Sequence, residues 1–369
     1  MKAVFNLRSK LFNLKPLHDT PFGRLHPYWA RKPLNVLREI IRSLSQEGDI
    51  VADPFMGSGT TVFASLLENR NAVGWDITPL STLIVQSTLD LNRNVKDHIE
   101  KIGEFLEEVE GVLFPWFSDK ENSLIIERKR FAVVGDFDYG NYKLMPTEVI
   151  TKPINGDYQK NISPVFLETK RPSQVSLLQR PINFERICLL ENARIAIPRG
   201  AKLSHYFLKE NQASINLFLR RIKQYKSNDE VKSLLYFILS MSIPLLRLSD
   251  YKASSQWPYW RPKQRLTSRN PIFVFRKRYK ELIFAHTWVA ENIPMYKKVD
   301  DLAFYKRGKK TDLFLSINTK AFQEINVKRL KGKLDLIVTD PPYGDHVPYL
   351  EYSSLWIKAL NMPLNKKAF

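Results

Sequence analysis

The sequence predicts an α/β fold: a doubly wound parallel sheet, incomplete in this chain, interrupted by a large inserted domain of mixed, partly helical structure. Three stretches carry that expectation. The apolar strand Ile50-Val51-Ala52 passes through Asp53-Pro54-Phe55-Met56-Gly57-Ser58-Gly59-Thr60-Thr61 into a helix over 62–69. Glycine at a strand-to-helix turn lets the backbone bend tightly and come close to a ligand, whose polar groups then meet N–H groups at the helix start. A second strand, 71–75, ends in Asp76, roughly 20 residues on, where a doubly wound sheet sets an acid against ribose hydroxyls. Far downstream, the apolar run Leu334-Asp335-Leu336-Ile337-Val338 ends in Thr339-Asp340-Pro341-Pro342-Tyr343. A lone G-x-G is a weak signal. The combination is much rarer than any one part.

Taken in order, residues 1–23 read as an irregular arm, because Lys15-Pro16 and Thr20-Pro21 oppose regular structure. Leu34, Val36, Leu37, Ile40, Ile41 and Leu44 recur at helical spacing, a stripe that packs on a sheet. After Asp76, Pro79 is placed as an early helical residue, with Leu80, Leu83, Ile84 and Val85 following. Residues 24–95 thus form one half of the core. From 96 the pattern changes to a charged amphipathic helix over 96–112, followed by Phe114-Pro115-Trp116-Phe117. Residues 120–200 are interrupted by prolines, with short β-like runs at 131–134 and 194–197. Helices return at 211–224 and 229–246 and give the insert, 96–311, a helical core. Regular sheet resumes at 313–318, so 312–369 is the second half of the core. No internal repeat or extended low-complexity segment is present.

The motif DPFMGSGTT, with DPPY downstream, resembles the amino-methyltransferases of DNA, which move a methyl group from S-adenosylmethionine to an exocyclic nitrogen of adenine or cytosine. His26-Pro27-Tyr28-Trp29-Ala30-Arg31-Lys32-Pro33 looks like that family's segment upstream of the glycine loop. HPYWARKP with DPPYGDHVPYLEYSSLW is similar to a subgroup of large adenine-specific DNA methylases. The resemblance is good over 24–95 and 312–360 and loose in between. It implies a Rossmann-like methyltransferase sheet. It also implies an S-adenosylmethionine site built from Asp53, Phe55, Gly57, Ser58, Gly59, Thr60, Thr61 and Asp76. His26 is expected near the methionine end of the cofactor, and Ser316 or Asn318 against its adenine.

The exocyclic amine of adenine is a poor nucleophile, because its lone pair is delocalised into the ring. A site must hold the nitrogen in place and accept its protons as charge develops. By resemblance, the Asp340 carboxylate and the Pro341 carbonyl are the acceptors, Pro342 stiffens the loop and Tyr343 stacks on a flipped base. No metal and no covalent intermediate are required. Asp at the first position leans toward adenine N6, with cytosine N4 left open. A similar tetrapeptide occurs in RNA amino-methyltransferases.

Composition agrees with a polyanionic partner. The chain of 369 residues carries 57 Lys+Arg against 38 Asp+Glu, a formal net charge of +19, which points to nucleic acid. Residues 251–310 hold 15 Lys/Arg against 4 Asp/Glu. Within them, Trp257, Tyr259, Trp260, Arg261, Lys263 and Arg265 combine cations for phosphates with rings for unpaired bases, the expected DNA contact of an inserted target-recognition region. Cys188 is the single cysteine, which excludes an intrachain disulfide and a cysteine-rich zinc site, and it reads as a small buried apolar residue. Neither a signal peptide nor an apolar run of roughly 20 residues is visible, so a cytoplasmic protein without a membrane partner is expected.

The order glycine loop, long insert, DPPY resembles the alpha-type arrangement of these enzymes. A whole core continues beyond DPPY with further strands, whereas 26 residues follow Tyr343. Either the chain is truncated or a second protein subunit completes the sheet, because an unfinished sheet exposes an edge and an apolar face. The reading is therefore a DNA amino-methyltransferase of a restriction-modification or related defence system. Its alternatives are an RNA amino-methyltransferase and a catalytically idle subunit that binds DNA or cofactor.

Overall fold

The computed structural model describes residues 2–17, 19–28, 31–91, 95–119, 123–136, 141–154, 161–163, 181–193, 197–250, 264–300, 302, 313–342 and 349–363. The elements in chain order begin with α1 (Lys2–Phe12), α2 (Leu34–Leu44), β1 (Ile50–Asp53), α3 (Thr60–Leu67), β2 (Asn71–Asp76) and α4 (Pro79–Asp90). They continue with α5 (Val95–Phe117), β3 (Ser118–Asp119), β4 (Leu124–Asp136), β5 (Asn141–Pro153), β6 (Asn161–Ser163), α6 (Lys209–Gln224) and α7 (Asp229–Leu246). The remainder are β7 (Ser249–Asp250), β8 (Arg265–Arg269), α8 (Pro271–Asn292), β9 (Lys297–Lys298), β10 (Phe314–Thr319), α9 (Val327–Leu330), β11 (Leu336–Ile337) and α10 (Tyr349–Ala359). Two compact units result: Met1–Val95 with Leu282–Pro348 and Pro363–Phe369, and Lys96–Glu281 with Tyr349–Met362.

The first unit is built on a five-stranded sheet in the order β11-β1-β2-β10-β9. Every pairing in it is parallel. Strands β1 and β2 read as near-continuous apolar runs because both faces are covered, as a parallel sheet demands. Ile50, Ala52, Val73, Trp75, Leu302 and Phe314 form one core cluster. Leu34, Leu37 and Ile41 are the buried face of α2, which packs on α3. From β1 the chain moves to β2 on one side, while β11 lies on the other. That reversal falls between β1 and β11, the position in strand order where doubly wound sheets bind ligands at their carboxyl ends. Asp335 sets the register by receiving the Ile50 N–H at 2.8 Å on its carboxylate, and Val338 N–H donates to the Ala52 carbonyl at 3.0 Å.

The second unit has an antiparallel sheet in the order β6-β5-β4-β8-β7, with β3 also paired to β4. The β4–β5 pair is a long hairpin with register shifts between Ile126 and Arg128 and between Arg130 and Phe131. Helix α7 is capped by Asn228, whose side chain accepts the Val231 N–H at 2.9 Å. Pro244 lies inside α7 and has no N–H for the Ser240 carbonyl four residues back. The indole N–H of Trp356, fully buried on α10, donates to that carbonyl at 2.7 Å. Residues 349–362, downstream of DPPY, therefore pack in this unit.

Several expectations are corrected. Residues 2–12 are a helix rather than irregular: the prolines act only from position 16 onward, and α1 packs on α2 with a Lys10–Glu39 ion pair at 2.9 Å. The third apolar run is regular only over Leu336–Ile337 and forms the edge of its sheet, with Ile337 58% exposed. Helix α8 carried no recognised sequence signal. Cys188 is exposed rather than buried, at a bridge to Lys202 that leaves its side chain in solvent. Of the β-like run 194–197, only Ile197 lies within the described residues, bridged to Asn192. The core halves expected at 24–95 and 312–369 compare with unit boundaries at 95/96, 281/282, 348/349 and 362/363. No helix among the described residues is long and apolar enough to cross a membrane.

Candidate functional site

The turn after β1 is shaped by two left-handed glycines, Gly57 at φ +52° and Gly59 at φ +80°. A side chain at Gly59 would collide with Val85 of α4, and one at Gly57 would meet the Tyr28 ring at 3.1 Å. Glycine is thus required at Gly59 by conformation and by space alike. Ser58, Thr60 and Thr61 are buried around the start of α3. The Tyr28 hydroxyl lies 3.3 Å from Ser81 Oγ, which ties the HPYWARKP segment to α4.

Asp76, at the end of β2, clasps this turn. Its carboxylate accepts the Gly57 N–H at 2.9 Å, the Thr78 N–H at 2.8 Å and the Thr78 hydroxyl at 2.7 Å. Burial nevertheless pushes its pKa above the ordinary carboxylate value, against those donors. Asp53 is 4% exposed and accepts the Phe55 N–H at 3.0 Å and the Thr339 hydroxyl at 2.9 Å. Its pKa is likewise raised, chiefly by burial. The Thr339 bond joins the glycine loop directly to the DPPY strand. Two of the three sequence stretches therefore meet at one carboxylate.

Asp340 follows Thr339 and forms an ion pair with Lys32 of the HPYWARKP segment. Pro341 and Pro342 are exposed, and Tyr343 lies outside the described residues. His26 is buried, with Nδ1 2.8 Å from the Pro27 carbonyl oxygen. Arg31 is half-buried beside it and donates to the carbonyls of Gly23 and of His26, the latter at 3.1 Å; desolvation lowers its pKa to about 10. Ser316 is fully buried and receives the Asn318 side-chain N–H at 3.2 Å. Phe55 stacks on Phe322, just past β10, with ring centroids 5.4 Å apart and Phe322 half exposed.

The first unit thus gathers Asp53, Phe55, Gly57, Ser58, Gly59, Thr60, Thr61 and Asp76 around one turn, with Asp340 one residue beyond the Thr339 bond. Trp257, Tyr259, Trp260, Arg261 and Lys263 lie outside the described residues, whereas Arg265 is exposed at the start of β8. Sequence reasoning did not single out Lys32, Thr339 or Phe322. Lys32 stands within HPYWARKP and Thr339 directly precedes DPPY, which was a usable signal; Phe322 carried none. A bare glycine cradle beside a buried acid matches the hydroxyl donors and close approach of a nucleoside. No cluster of three or more His, Cys, Asp or Glu suited to a metal ion occurs among the described residues.

Residues 6–84 match the family model described as DNA methylase. The chain is similar to the type II methyltransferase M.MjaII of Methanocaldococcus jannaschii, at 24% identity over 98% of this chain and 65% of that protein. It is also similar to the type II methyltransferase M.HpaI of Haemophilus parainfluenzae, at 37% identity over 27% of this chain and 33% of that protein. The orphan methyltransferase M.BamHII of Bacillus amyloliquefaciens is 50% identical over 14% of this chain and 19% of its own length. The chain therefore spans less than two thirds of the length of these relatives. No solved structure matches it.

Proposed function

We propose that this chain, a relative of the N6/N4 DNA methyltransferases, takes part in methyl transfer from S-adenosylmethionine to the N6 amine of adenine in DNA. The observation that carries the reading is the Thr339–Asp53 hydrogen bond. Through it the strand end that leads into the glycine turn, which would hold the cofactor, is tied to the residue before Asp340, the carboxylate that would receive the amine.

In this reading Gly57 and Gly59 let the backbone approach the cofactor, Asp76 receives its ribose hydroxyls, and Phe55 and His26 line its remaining length. Ser316 and Asn318 lie toward its adenine. The bound cofactor supplies an electrophilic methyl group on a sulfonium. Asp340 and the Pro341 carbonyl hold the amine N–H groups, which aims the nitrogen lone pair and accepts charge as it develops. Tyr343 offers a ring to the flipped base. Flipping costs roughly a few kcal/mol, which phosphate contacts from the basic stretch around Trp257–Arg265 would offset. A Rossmann-like core of 24–95 and 312–369 around an insert of 96–311, a cytoplasmic setting and a second subunit that completes the sheet belong to the same proposal.

The test is transfer of labelled methyl from S-adenosylmethionine to genomic DNA, with structured RNA as the parallel substrate, by this chain alone and with the product of its neighbouring gene. Transfer to DNA that recovers as N6-methyladenine, and that Asp340→Ala reduces by about 100-fold or more while cofactor binding persists, is expected. Transfer that survives Asp340→Ala, or that goes to RNA alone, refutes the assignment.

A further inference from the structure

Two aromatic rings meet where three strands of the first sheet end. Phe55 stands two residues past β1, and Phe322 three residues past β10, on a short turn over Phe322–Glu324. In strand order β2 lies between β1 and β10. The end of β2 ties both segments down: the Trp75 carbonyl receives the Met56 N–H at 3.0 Å, and the Asp76 carbonyl receives the Lys320 N–H at 2.8 Å. Neighbouring strands stand about 4.8 Å apart, so β1 and β10 are separated by roughly 10 Å. Rings with centroids 5.4 Å apart and planes 26° from parallel therefore bridge the carboxyl end of β2, the end that bears Asp76.

The Phe322 ring is 50% exposed, whereas Ile325, Leu330 and Leu334 of the same connection pack against the core of the sheet. The backbone of its turn is anchored, because Ala321 is buried and its N–H donates to Glu324 Oε2 at 2.9 Å. The ring itself is free to turn, since exposed side chains change rotamer within nanoseconds. A flat base held between two rings needs about 7 Å between them, twice a carbon–carbon contact of about 3.5 Å. At 5.4 Å the pair is closed to a base, and a modest swing of Phe322 opens it.

We infer that Phe322 is an aromatic wall for the adenine of S-adenosylmethionine, and that the Phe55–Phe322 stack is the closed, empty form of a slot whose rings part to admit that base. The inference rests on the assignment of the glycine turn and Asp76 to the cofactor above. The residues present fit the group: two apolar rings suit the faces of a base, and Asn318, near the end of β10, carries an amide for its edge.

The experiment reads binding rather than turnover. Calorimetric dissociation constants for S-adenosylmethionine and S-adenosylhomocysteine, without DNA, are compared in the full natural protein, Phe322→Ala and Phe322→Trp. Phe322→Ala is expected to weaken both ligands by the same factor, about 10- to 100-fold, because both carry the same adenosine, while Phe322→Trp stays within about threefold. Unchanged constants overturn the proposal, because the ring then only covers apolar surface. Tighter binding in Phe322→Ala overturns it as well, since the ring is then a plug rather than a wall. So does a loss confined to S-adenosylmethionine, which would place Phe322 at the methyl group. If Phe322→Ala lowers the melting temperature, Phe322→Leu, which keeps apolar bulk without an aromatic face, repeats the comparison and should weaken binding likewise. A natural protein that binds neither ligand would remove the functional reading and this inference together, whereas binding indifferent to position 322 removes only the inference.

Discussion

Replacing Gly59 with alanine perturbs conformation and packing at once, and the two costs can be separated. At φ +80° a non-glycine residue pays about 1–2 kcal/mol for the left-handed backbone. The added Cβ also collides with Val85, a buried residue of α4, with Cγ1 at 3.1 Å as the next nearest atom. Overpacking of this kind costs about 1–3 kcal/mol, so Gly59→Ala should destabilise α3 and its turn by about 2–5 kcal/mol. Gly332 provides the calibration: at φ +73° it has nothing within 4 Å of its ideal Cβ, so Gly332→Ala should cost only about 1–2 kcal/mol. Because the chain has two compact units, global melting does not isolate the effect. Hydrogen exchange of peptides from 60–69 does, each tenfold acceleration corresponding to about 1.4 kcal/mol. Val85→Ala, itself destabilising, should couple favourably with Gly59→Ala by about 1–3 kcal/mol. A Gly59→Ala cost no larger than that of Gly332→Ala, or no coupling to Val85, would refute the reasoning.

Two further perturbations test the packing that builds the site and its neighbouring unit. Thr339→Val removes a hydroxyl from the buried Asp53 carboxylate and should cost about 1.5–3 kcal/mol at neutral pH. Burial has already raised the Asp53 pKa above 3.8, so the folded state holds this proton longer than the unfolded chain, and the associated stability is present below 3.8 and lost as pH rises through the folded pKa. The lost hydroxyl favoured the carboxylate, so denaturant titrations across pH should show Thr339→Val extending that loss to higher pH. Trp356→Phe deprives the Ser240 carbonyl of the donor that Pro244 cannot supply, at a cost of about 1–3 kcal/mol in exchange protection of α7. Pro244→Ala in the same background should return part of it, because a helical N–H becomes available.

The elements that were legible are those whose cause is local. The helix 229–246 follows from its apolar spacing, and Pro79 marks the start of α4, so both are found where the pattern predicts. The glycine turn was legible because Gly57 and Gly59 occur together where a strand run meets a helix run. Helix α1 was missed because two nearby prolines were given too much reach, and its own residues 2–12 contain neither proline nor glycine. The long β4–β5 hairpin was only glimpsed at 131–134, because its register depends on partners far along the chain and is shifted twice by bulges. The exposure of Cys188 depended on which side of its bridge faced solvent, which no composition argument reaches.

By itself the sequence determined the parallel α/β half of this protein, the glycine turn, the acid at the end of β2 and the presence of a strand before DPPY, since each rests on an apolar run or on glycines that tolerate the left-handed backbone of a tight turn. Only the tertiary structure decided that β11 lies against β1 rather than elsewhere, that Thr339 reaches Asp53, that Lys32 reaches Asp340, and that Trp356 takes the place of a missing N–H in α7. These are contacts between distant segments. Their geometry is set by how strands order in a sheet and helices pack, which the spacing of residues along one segment does not contain.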